Sequence, residues 1–434
     1  MSAREQCVAR LSGRPESQFM QNYVAVQQRM PISGVVIRQP HSAADDTRAM
    51  TMRKLSDTIA RLSAYRTQLG TGAGPDMSGR LGTLPEFGSN PGALLARTHL
   101  PPELPPGAPL VVVLHGCTQN ASGYDHGSGW STLADRDGFA LLFPEQQRAN
   151  NANLCFNWFE PGDTQRGKGE ALSISQMIET MITRHGLDRR RVFITGLSAG
   201  GAMAGVMLAT YPELFAGGAI IAGLPYGVAG TIPEAFDRMR AHGLPGEKRL
   251  QDLVRSASRH EGAWPTISIW QGSADRTVSP ANAAALITQW RGVHGLRSEP
   301  SASEVVDGQR RRVWRDADGR DLVEEYSIAG MGHGTPIAGD GIGRPAPYML
   351  AAGISSTQRI AGFWGLLAGE VDKGRANIGV TVASPPAQAP AMAAGPAWQE
   401  AERPRQTNKW AAPPAAAGVR KIIEDALRSA GLMR

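Results

Sequence analysis

The sequence lacks the features that several classes of protein require. Its 434 residues include only three cysteines, Cys7, Cys117 and Cys155, which are too few for a disulfide framework. An odd number of cysteines favours a reducing compartment, with a single Cys117–Cys155 bridge as the alternative for an exported chain. No apolar run approaches the about 20 residues of a membrane span, and the N-terminal residues contain no apolar signal-peptide segment. The sequence alone therefore predicts a cytoplasmic protein that does not span a membrane.

The charge is also unremarkable for a chain of this length. The formal net charge is +6, and the basic residues are dispersed without an accompanying set of aromatic side chains. A nucleic-acid-binding protein is expected to concentrate positive charge on one surface, so we do not expect a nucleic-acid partner. Hydrophobic residues make up 41% of the chain, which is enough for a sizeable core.

Composition and periodicity divide the chain into four regions. Residues 1–84 are expected to be an extension with one helix at about 52–68 and flexible segments elsewhere. Residues 85–370 are expected to be the globular domain, and 371–416 form a Pro/Ala-rich linker. Residues 417–434 have the spacing of an amphipathic helix, which either packs on its own domain or docks on a partner.

Strand-like and helix-like segments alternate through residues 85–370. The strand-like runs are 109–115, 139–144, 191–196, 265–272 and 322–330, and the helix-like segments are 170–186, 199–212 and 354–367. This alternation predicts an α/β fold with a mostly parallel central sheet and helices on both faces.

A serine surrounded by small residues follows one of these strands. Gly196-Leu197-Ser198-Ala199-Gly200 matches the pattern G-x-S-x-G between a strand and a helix. In that context the serine lies on a strained turn, and small neighbours let the strand and helix approach closely. The pattern predicts that Ser198 is a nucleophile, provided that a base and a carboxylate accompany it.

The two partners occur later in the chain, each after a predicted strand. Asp275 lies in GSADRTVSP and His333 in AGMGHG. Taken singly, an aspartate in a turn is more often a capping residue, and a lone histidine is more often solvated or packed in a core. The order serine, aspartate, histidine is that of an α/β-hydrolase, so Ser198, Asp275 and His333 are predicted to form the triad.

The same chemistry requires N–H donors for a developing oxyanion. The residue after the serine, Ala199, supplies one donor, and a loop after an earlier strand should supply the second. That loop reads HGCTQN, and we expect the Cys117 amide to be the donor, with the Thr118 amide as the alternative. The Cys117 thiol is a further candidate nucleophile, disfavoured because Ser198 occupies the strand–helix turn.

Several longer sequence motifs are similar to those of a known protein family. The segments LHGCTQN, CFNWFEPGD, GEALSISQMIE, TGLSAGGAMA, YPELFAGGAIIAGLPYG, GSADRTVSP and GMGH occur in this order over about residues 85–368. Together they resemble the polyhydroxybutyrate depolymerase-type esterase family, which includes feruloyl and acetyl xylan esterase relatives. The resemblance implies an α/β-hydrolase fold, a Ser-His-Asp triad at Ser198, His333 and Asp275, and no metal or other cofactor. It places the oxyanion donors at Cys117 and Ala199.

The resemblance also suggests substrate contacts and a substrate class. Trp158 either walls the acyl pocket or packs in the core, and Thr118 and Gln119 are predicted to contact substrate. Secreted polymer-degrading members of the resembled family consist of a signal peptide, a catalytic domain, a linker and a separate substrate-binding domain. Only one short helix follows the linker here, which favours soluble hydroxyalkanoate oligomers or other short-acyl esters as substrates.

Three alternatives remain open at this point. In the first alternative the protein is a feruloyl or acetyl-xylan-type esterase. In the second it is a non-catalytic protein that binds a granule or another partner. The third concerns location, because the resembled family is commonly extracellular although this sequence predicts a cytoplasmic protein.

Overall fold

A ten-stranded sheet runs through residues 80–367, the part of the chain that the computed structural model describes. The helix expected at 52–68, the linker at 371–416 and the helix at 417–434 lie outside these residues. The strands are β1 (Gly82–Thr83), β2 (Leu95–His99), β3 (Leu110–Leu114), β4 (Ala140–Glu145), β5 (Val192–Leu197), β6 (Gly217–Ile221), β7 (Thr266–Gly272), β8 (Ala302–Val306), β9 (Gln309–Arg315), β10 (Asp321–Ile328), β11 (Thr335–Ile337) and β12 (Met349–Ala351). Within the sheet the order is β1-β2-β4-β3-β5-β6-β7-β10-β9-β8, and β11 and β12 form a separate two-stranded sheet.

The six central strands, from β4 to β10 in that order, are parallel, and antiparallel strands complete both edges of the sheet. The helices are α1 (Ala121–Ser128), α2 (Trp130–Asp137), α3 (Pro161–Thr164), α4 (Gly169–His185), α5 (Ala199–Thr210), α6 (Ile232–Met239), α7 (Glu247–Arg255), α8 (Ala281–Val293) and α9 (Ser356–Phe363). The prediction of an α/β fold with a mostly parallel sheet is confirmed.

Alternate residues of the central strands pack into two separate cores. Leu110, Val112 and Leu114 of β3 contact the core that contains the buried sides of α4, α5 and α8. Val111 and Val113 contact the core formed with α1, α2 and α9. Because successive side chains of a strand point to opposite faces, helices cover both faces of the sheet and every residue of β3 is buried.

The ends of the sheet differ from the sequence-based expectation. Gly82 and Thr83 pair with Thr98 and Arg97, so the sheet begins inside the segment 1–84 that was expected to be an extension. At the other end β8 and β9 form a hairpin whose turn residues, Asp307 and Gly308, both have positive φ. Asp-Gly is a preferred pair for such a two-residue turn.

A long connection between β6 and β7 carries α6 and α7. The Thr231 hydroxyl caps α6 by accepting a hydrogen bond from the Glu234 amide, and Pro233 occupies the first turn, where a missing N–H costs least. This connection leaves the sheet at the carboxyl end of β6, the edge at which β5, β7 and β10 also end. Every helix within residues 80–367 is too short or too polar to cross a lipid bilayer.

Candidate active site

Ser198 lies on the turn between β5 and α5, as the sequence pattern predicts. Its φ of 58° and ψ of −118° fall outside the regions that residues with a side chain ordinarily occupy. The Ser198 amide donates to the carbonyl of Ile221 on β6 at 2.9 Å, and the Ser198 carbonyl accepts from the Ala202 amide at 2.8 Å. Because the adjoining strand and helix hold the backbone on both sides, the strained turn is maintained and presents the hydroxyl at the sheet edge.

The glycines around Ser198 are required by close backbone contacts. A Cβ atom on Gly196 would lie 2.4 Å from the carbonyl oxygen of Gly200. A Cβ atom on Gly200 would lie 2.4 Å from the carbonyl oxygen of His115, at the end of β3. The small residues therefore allow α5 to start directly against β5 and β3.

Asp275 and His333, which follow β7 and β10, form a direct pair. Their side chains are almost fully buried, and the His333 Nδ1–H donates to Asp275 Oδ2 at 2.7 Å. The bond fixes the tautomer and leaves His333 Nε2 as the proton acceptor. Asp275 Oδ1 accepts from the amides of Thr277 and Val278 at 2.8 and 2.9 Å, so the carboxylate is held from both sides.

The loops that carry the pair are joined to each other. The Ala274 amide donates to the Met331 carbonyl at 3.0 Å, and the Gly330 amide donates to Ser273 Oγ at 2.9 Å. A Cβ atom on Gly272 would lie 2.4 Å from the Met331 oxygen, so glycine is needed for this approach. As β5, β6, β7 and β10 are consecutive neighbours, the three predicted triad residues follow strands that end at one edge.

The loop after β3 contains the predicted second oxyanion donor. The Thr118 amide donates to the Asn153 carbonyl at 2.6 Å and is therefore already engaged, which favours the Cys117 amide. The identity of the oxyanion donor stays a prediction. Gln119 Oε1 accepts from the Gly116 amide at 2.9 Å, while Nε2 donates to the Pro347 carbonyl at 3.3 Å. The carboxamide of Gln119 therefore holds the loop, and substrate contact by Thr118 or Gln119 stays a prediction.

A disulfide joins Cys117 to Cys155, 38 residues later. The sequence left the state of this pair open, and the bridge that it offered as the alternative is the one observed. The Cys117 sulfur is excluded as a nucleophile because it is already bonded. The bridge ties the loop after β3 to the segment that carries Trp158. Sequence could not decide this pairing, because the two cysteines become neighbours only when these segments meet in the fold.

Removing this bridge should affect both stability and turnover. We expect a Cys117→Ser, Cys155→Ser variant to lose about 2–4 kcal/mol of unfolding free energy, because the unfolded chain gains conformational freedom. Its kcat for a p-nitrophenyl ester should fall, since the loop bearing the Cys117 amide loses its covalent attachment. Denaturant unfolding and steady-state kinetics measure the two effects, with Cys7→Ser as the control. Unchanged stability and kcat would contradict the assigned role.

Trp158 is buried in a cluster that includes Ala199, the residue after Ser198. It contributes to an apolar cluster that also contains Ala199, Leu224 and Val228, with Cys117 packed against it. The Phe159 ring meets the indole edge-on, with ring centroids 5.3 Å apart. Trp158 thus packs in a core, as one of its two interpretations expects, and its contact with an acyl group stays a prediction.

A buried carboxyl group that the sequence analysis did not single out supports the Trp158 segment. Glu170, in the first turn of α4, is fully buried; its Oε1 accepts from Gln146 Nε2 at 2.5 Å and its Oε2 from the Asn157 amide at 2.9 Å. Burial, with a further contribution from the charge of Asp163, raises the pKa of Glu170 to about 8. Glu170 thereby fixes the backbone immediately before Trp158.

The same network reaches the loop after β3. The Gln146 amide donates to His115 Nε2 at 3.1 Å, and the His115 Nδ1–H donates to the Gly116 carbonyl at 2.8 Å. With Nε2 accepting, the ring is neutral, in agreement with the lowering of the His115 pKa by burial. Gln146 Nε2 also donates to the Cys155 carbonyl at 3.1 Å. Glu170, Gln146 and His115 therefore join the two segments that the disulfide also connects.

Replacing Glu170 with glutamine should impair turnover without removing any reacting group. Both oxygens of the carboxyl can accept a hydrogen bond whether or not the group is protonated, whereas the amide nitrogen of glutamine cannot accept one, so one of the two hydrogen bonds is lost. We expect kcat/KM for p-nitrophenyl butyrate to fall at least about ten-fold, because small displacements of positioning segments are costly to the reaction. Steady-state kinetics measure this, and Glu179→Gln is the matched control on the partly exposed side of α4, where Glu179 pairs with Arg189. Wild-type kinetics in a folded Glu170→Gln variant would rule out the positioning role.

The sequence matches known proteins across this region. A family model described as Esterase PHB depolymerase matches residues 98–312. The chain is 47% identical over 290 residues to poly(3-hydroxyalkanoate) depolymerase C of Paucimonas lemoignei, covering 65% of this chain and 69% of that protein. It is 30% identical over 269 residues to acetylxylan esterase A of Emericella nidulans, covering 60% of this chain and 87% of that protein.

A solved structure shares the fold. The acetyl xylan esterase from Aspergillus awamori superposes with a TM-score of 0.57 and 24% identity, covering 66% of this chain and 100% of that chain. At this identity the likeness supports the fold, and the family assignment follows from the sequence matches. The chain belongs to the PHB depolymerase esterase family, and it is a carboxylic ester hydrolase with an α/β-hydrolase fold.

Proposed function

We propose that this esterase hydrolyses hydroxyalkanoate esters, as oligomers or polymer, through a triad of Ser198, His333 and Asp275. The observation that carries the mechanism is the 2.7 Å bond between His333 and Asp275, which follow strands that end at the same edge of the sheet as the strained Ser198 turn. The substrate class is supported by the 47% identity to a poly(3-hydroxyalkanoate) depolymerase.

The proposed reaction uses each group in a defined role. Ser198 Oγ attacks the ester carbonyl carbon while His333 Nε2 takes the hydroxyl proton, and Asp275 stabilises the resulting imidazolium. The amides of Ala199 and Cys117 stabilise the oxyanion. His333 then donates the proton to the departing alkoxide, leaving an acyl group on Ser198. Water attacks this acyl-enzyme with His333 again as the base, which releases the hydroxy acid and restores the serine.

Activity on acetylated xylan or feruloyl esters is the second candidate. It is supported by the 30% identity to an acetylxylan esterase of which this chain covers 87%. The acid components of the candidates differ, since a hydroxyalkanoate is a short aliphatic hydroxy acid, whereas ferulate is a planar aromatic acid. Substrate comparison therefore separates them.

We also propose that the protein works outside the cytoplasm, in place of the cytoplasmic location expected from its N-terminal sequence. The support is the Cys117–Cys155 disulfide at the site, because such bridges persist in oxidising compartments and are rare in reducing ones.

The test of the proposed function is a comparison of products. Wild type and Ser198→Ala are incubated with 3-hydroxybutyrate oligomers, acetylated xylan and methyl ferulate, and the released acids are quantified by chromatography. We expect wild type to release 3-hydroxybutyrate from the oligomers with the highest kcat/KM, and the variant to release none. Preferential release of acetate or ferulate would favour the second candidate instead.

A further inference from the structure

The turn that leads into β12 places a tyrosine where the backbone favours glycine. The Met349 amide donates to the Ala346 carbonyl at 2.9 Å, which closes a four-residue turn with Pro347 and Tyr348 at its centre. Proline fixes a negative φ at the first central position, whereas Tyr348 has a φ of 64° at the second. This combination is typical of a type II turn, whose second central residue is usually glycine or asparagine. Tyr348 therefore carries backbone strain that glycine would relieve.

The Tyr348 backbone is packed against the residues that follow His333. The Thr335 amide donates to the Tyr348 carbonyl at 2.7 Å, and Thr335 is paired with Met349 where β11 and β12 run in parallel. A Cβ atom on Gly334 would lie 2.5 Å from the Tyr348 carbonyl oxygen. Because Gly334 directly follows His333, the strained turn is held against the loop that carries the proposed base.

The Tyr348 ring contacts the His333 imidazole. The ring centroids are 6.2 Å apart and the planes meet at 81°, an edge-to-face arrangement that aromatic pairs prefer. Tyr348 is half-buried, and only 10% of the His333 side chain is exposed. The bond from His333 Nδ1 to Asp275 fixes one point of the imidazole and still permits the ring to tilt about it. A second ring packed on the imidazole restricts that tilt.

The same turn is joined to the loop after β3. Gln119 Nε2 donates to the Pro347 carbonyl at 3.3 Å, while its Oε1 accepts from the Gly116 amide at 2.9 Å. Pro347 immediately precedes Tyr348, and Gly116 immediately precedes Cys117. The position of Tyr348 is thus determined by both the loop of the proposed base and the loop of the predicted oxyanion donor.

We propose that Tyr348 is a positioning residue, whose ring holds the His333 imidazole at the angle required for proton transfer from Ser198. This rests on the proposed function, in which His333 is the base. Strained residues cluster at active sites, where the surrounding structure maintains them. A glycine would give an unstrained turn without a ring, so the strain is explained by the side chain that the turn carries. Misalignment of base and nucleophile slows the reaction more than it weakens substrate binding.

Three substitutions at Tyr348 separate the ring from the turn. Tyr348→Phe retains the ring, Tyr348→Ala removes it and keeps the strain, and Tyr348→Gly removes both. For p-nitrophenyl butyrate, we expect the phenylalanine variant to keep kcat within about two-fold of wild type, because the edge-to-face contact persists. The alanine and glycine variants should both lose at least about ten-fold in kcat with little change in KM.

Denaturant unfolding of the same variants reports on the backbone. Tyr348→Gly should unfold at a higher denaturant concentration than Tyr348→Ala, because glycine adopts a positive φ without strain. Activity is therefore expected to follow the ring, and stability to follow the turn. The control is Ala241→Gly, since Ala241 has a φ of 63° just after α6. It relieves the same kind of strain and should retain wild-type kinetics.

Four other results would overturn the inference. Wild-type kcat in Tyr348→Gly would show that the ring is not needed. Equal losses in the phenylalanine and glycine variants would assign the effect to the hydroxyl group. A raised KM at unchanged kcat would make Tyr348 a substrate contact, and a loss of kcat in the glycine variant alone would assign the effect to a loosened turn. If Tyr348→Gly does not fold, Tyr348→Ala and Tyr348→Phe decide whether the ring is needed.

Failure of this inference is distinguishable from failure of the proposed function. If Ser198→Ala is inactive and Tyr348→Gly has wild-type kinetics, the positioning role fails and the triad stands. If Ser198→Ala keeps wild-type activity, the triad fails and the positioning role fails with it. Wild type that releases no 3-hydroxybutyrate, combined with slow hydrolysis of p-nitrophenyl butyrate by Tyr348→Gly and Tyr348→Ala, would reject the substrate class and retain the positioning role.

Discussion

The Ser198→Ala variant should lose ester hydrolysis by about 10⁴- to 10⁶-fold in kcat, because removal of a triad nucleophile leaves only the oxyanion donors and substrate binding. The measurement is steady-state hydrolysis of p-nitrophenyl butyrate. Stability should change little, since Ser198 donates and accepts its observed backbone hydrogen bonds through main-chain atoms that alanine retains.

The matched control for this variant is Ser303→Ala, an exposed serine on β8. It should keep wild-type kinetics. A folded Ser198→Ala variant with activity comparable to wild type would mean that another group is the nucleophile, and the assignment of the triad would have to be abandoned.

The Asp275→Asn variant has the second-largest expected effect, a loss of about 10³- to 10⁴-fold in kcat. Asp275 Oδ2 accepts from both His333 Nδ1 and Gln271 Nε2, and Oδ1 accepts from two backbone amides. An amide group cannot accept on both sides, so an NH₂ must face a donor. If it faces His333, the ring takes the tautomer with its proton on Nε2 and can no longer accept the serine proton.

Kinetics at saturating substrate measure this effect, with KM expected to stay near the wild-type value because Asp275 is buried behind the histidine. Asp252→Asn is a suitable control, since Asp252 forms a surface pair with Lys248 on α7. A kcat of Asp275→Asn equal to that of wild type would show that His333 does not depend on this carboxylate.

The residues proposed as the triad could be named from the sequence because their signals are local. Ser198 lies in a five-residue pattern with a strand before it and a helix after it. The glycines of this pattern are required because a Cβ atom there would clash with neighbouring backbone atoms. Asp275 and His333 follow strands in the order that this fold uses. The strands β3, β4, β5, β7 and β10 were likewise predictable, because they consist of short apolar runs bounded by polar or glycine-containing segments.

The features that sequence analysis missed depend on contacts between distant segments. Glu170 lies in GEALSISQMIE, where an acidic residue at the start of a helix is explained by the helix dipole. Only the fold shows that Gln146 and the Asn157 amide surround it in the interior. The Asp307-Gly308 hairpin did carry a readable signal, which went unused because the flanking strands are mostly exposed and charged.

The most direct test of the account is to locate the covalent adduct that a fluorophosphonate forms with the wild-type protein. After labelling and proteolysis, mass spectrometry identifies the modified residue. We expect a single adduct on Ser198, with labelling abolished in Ser198→Ala and strongly slowed in Asp275→Asn. An adduct on a different residue, or a folded protein that hydrolyses esters yet is never labelled at Ser198, would contradict it.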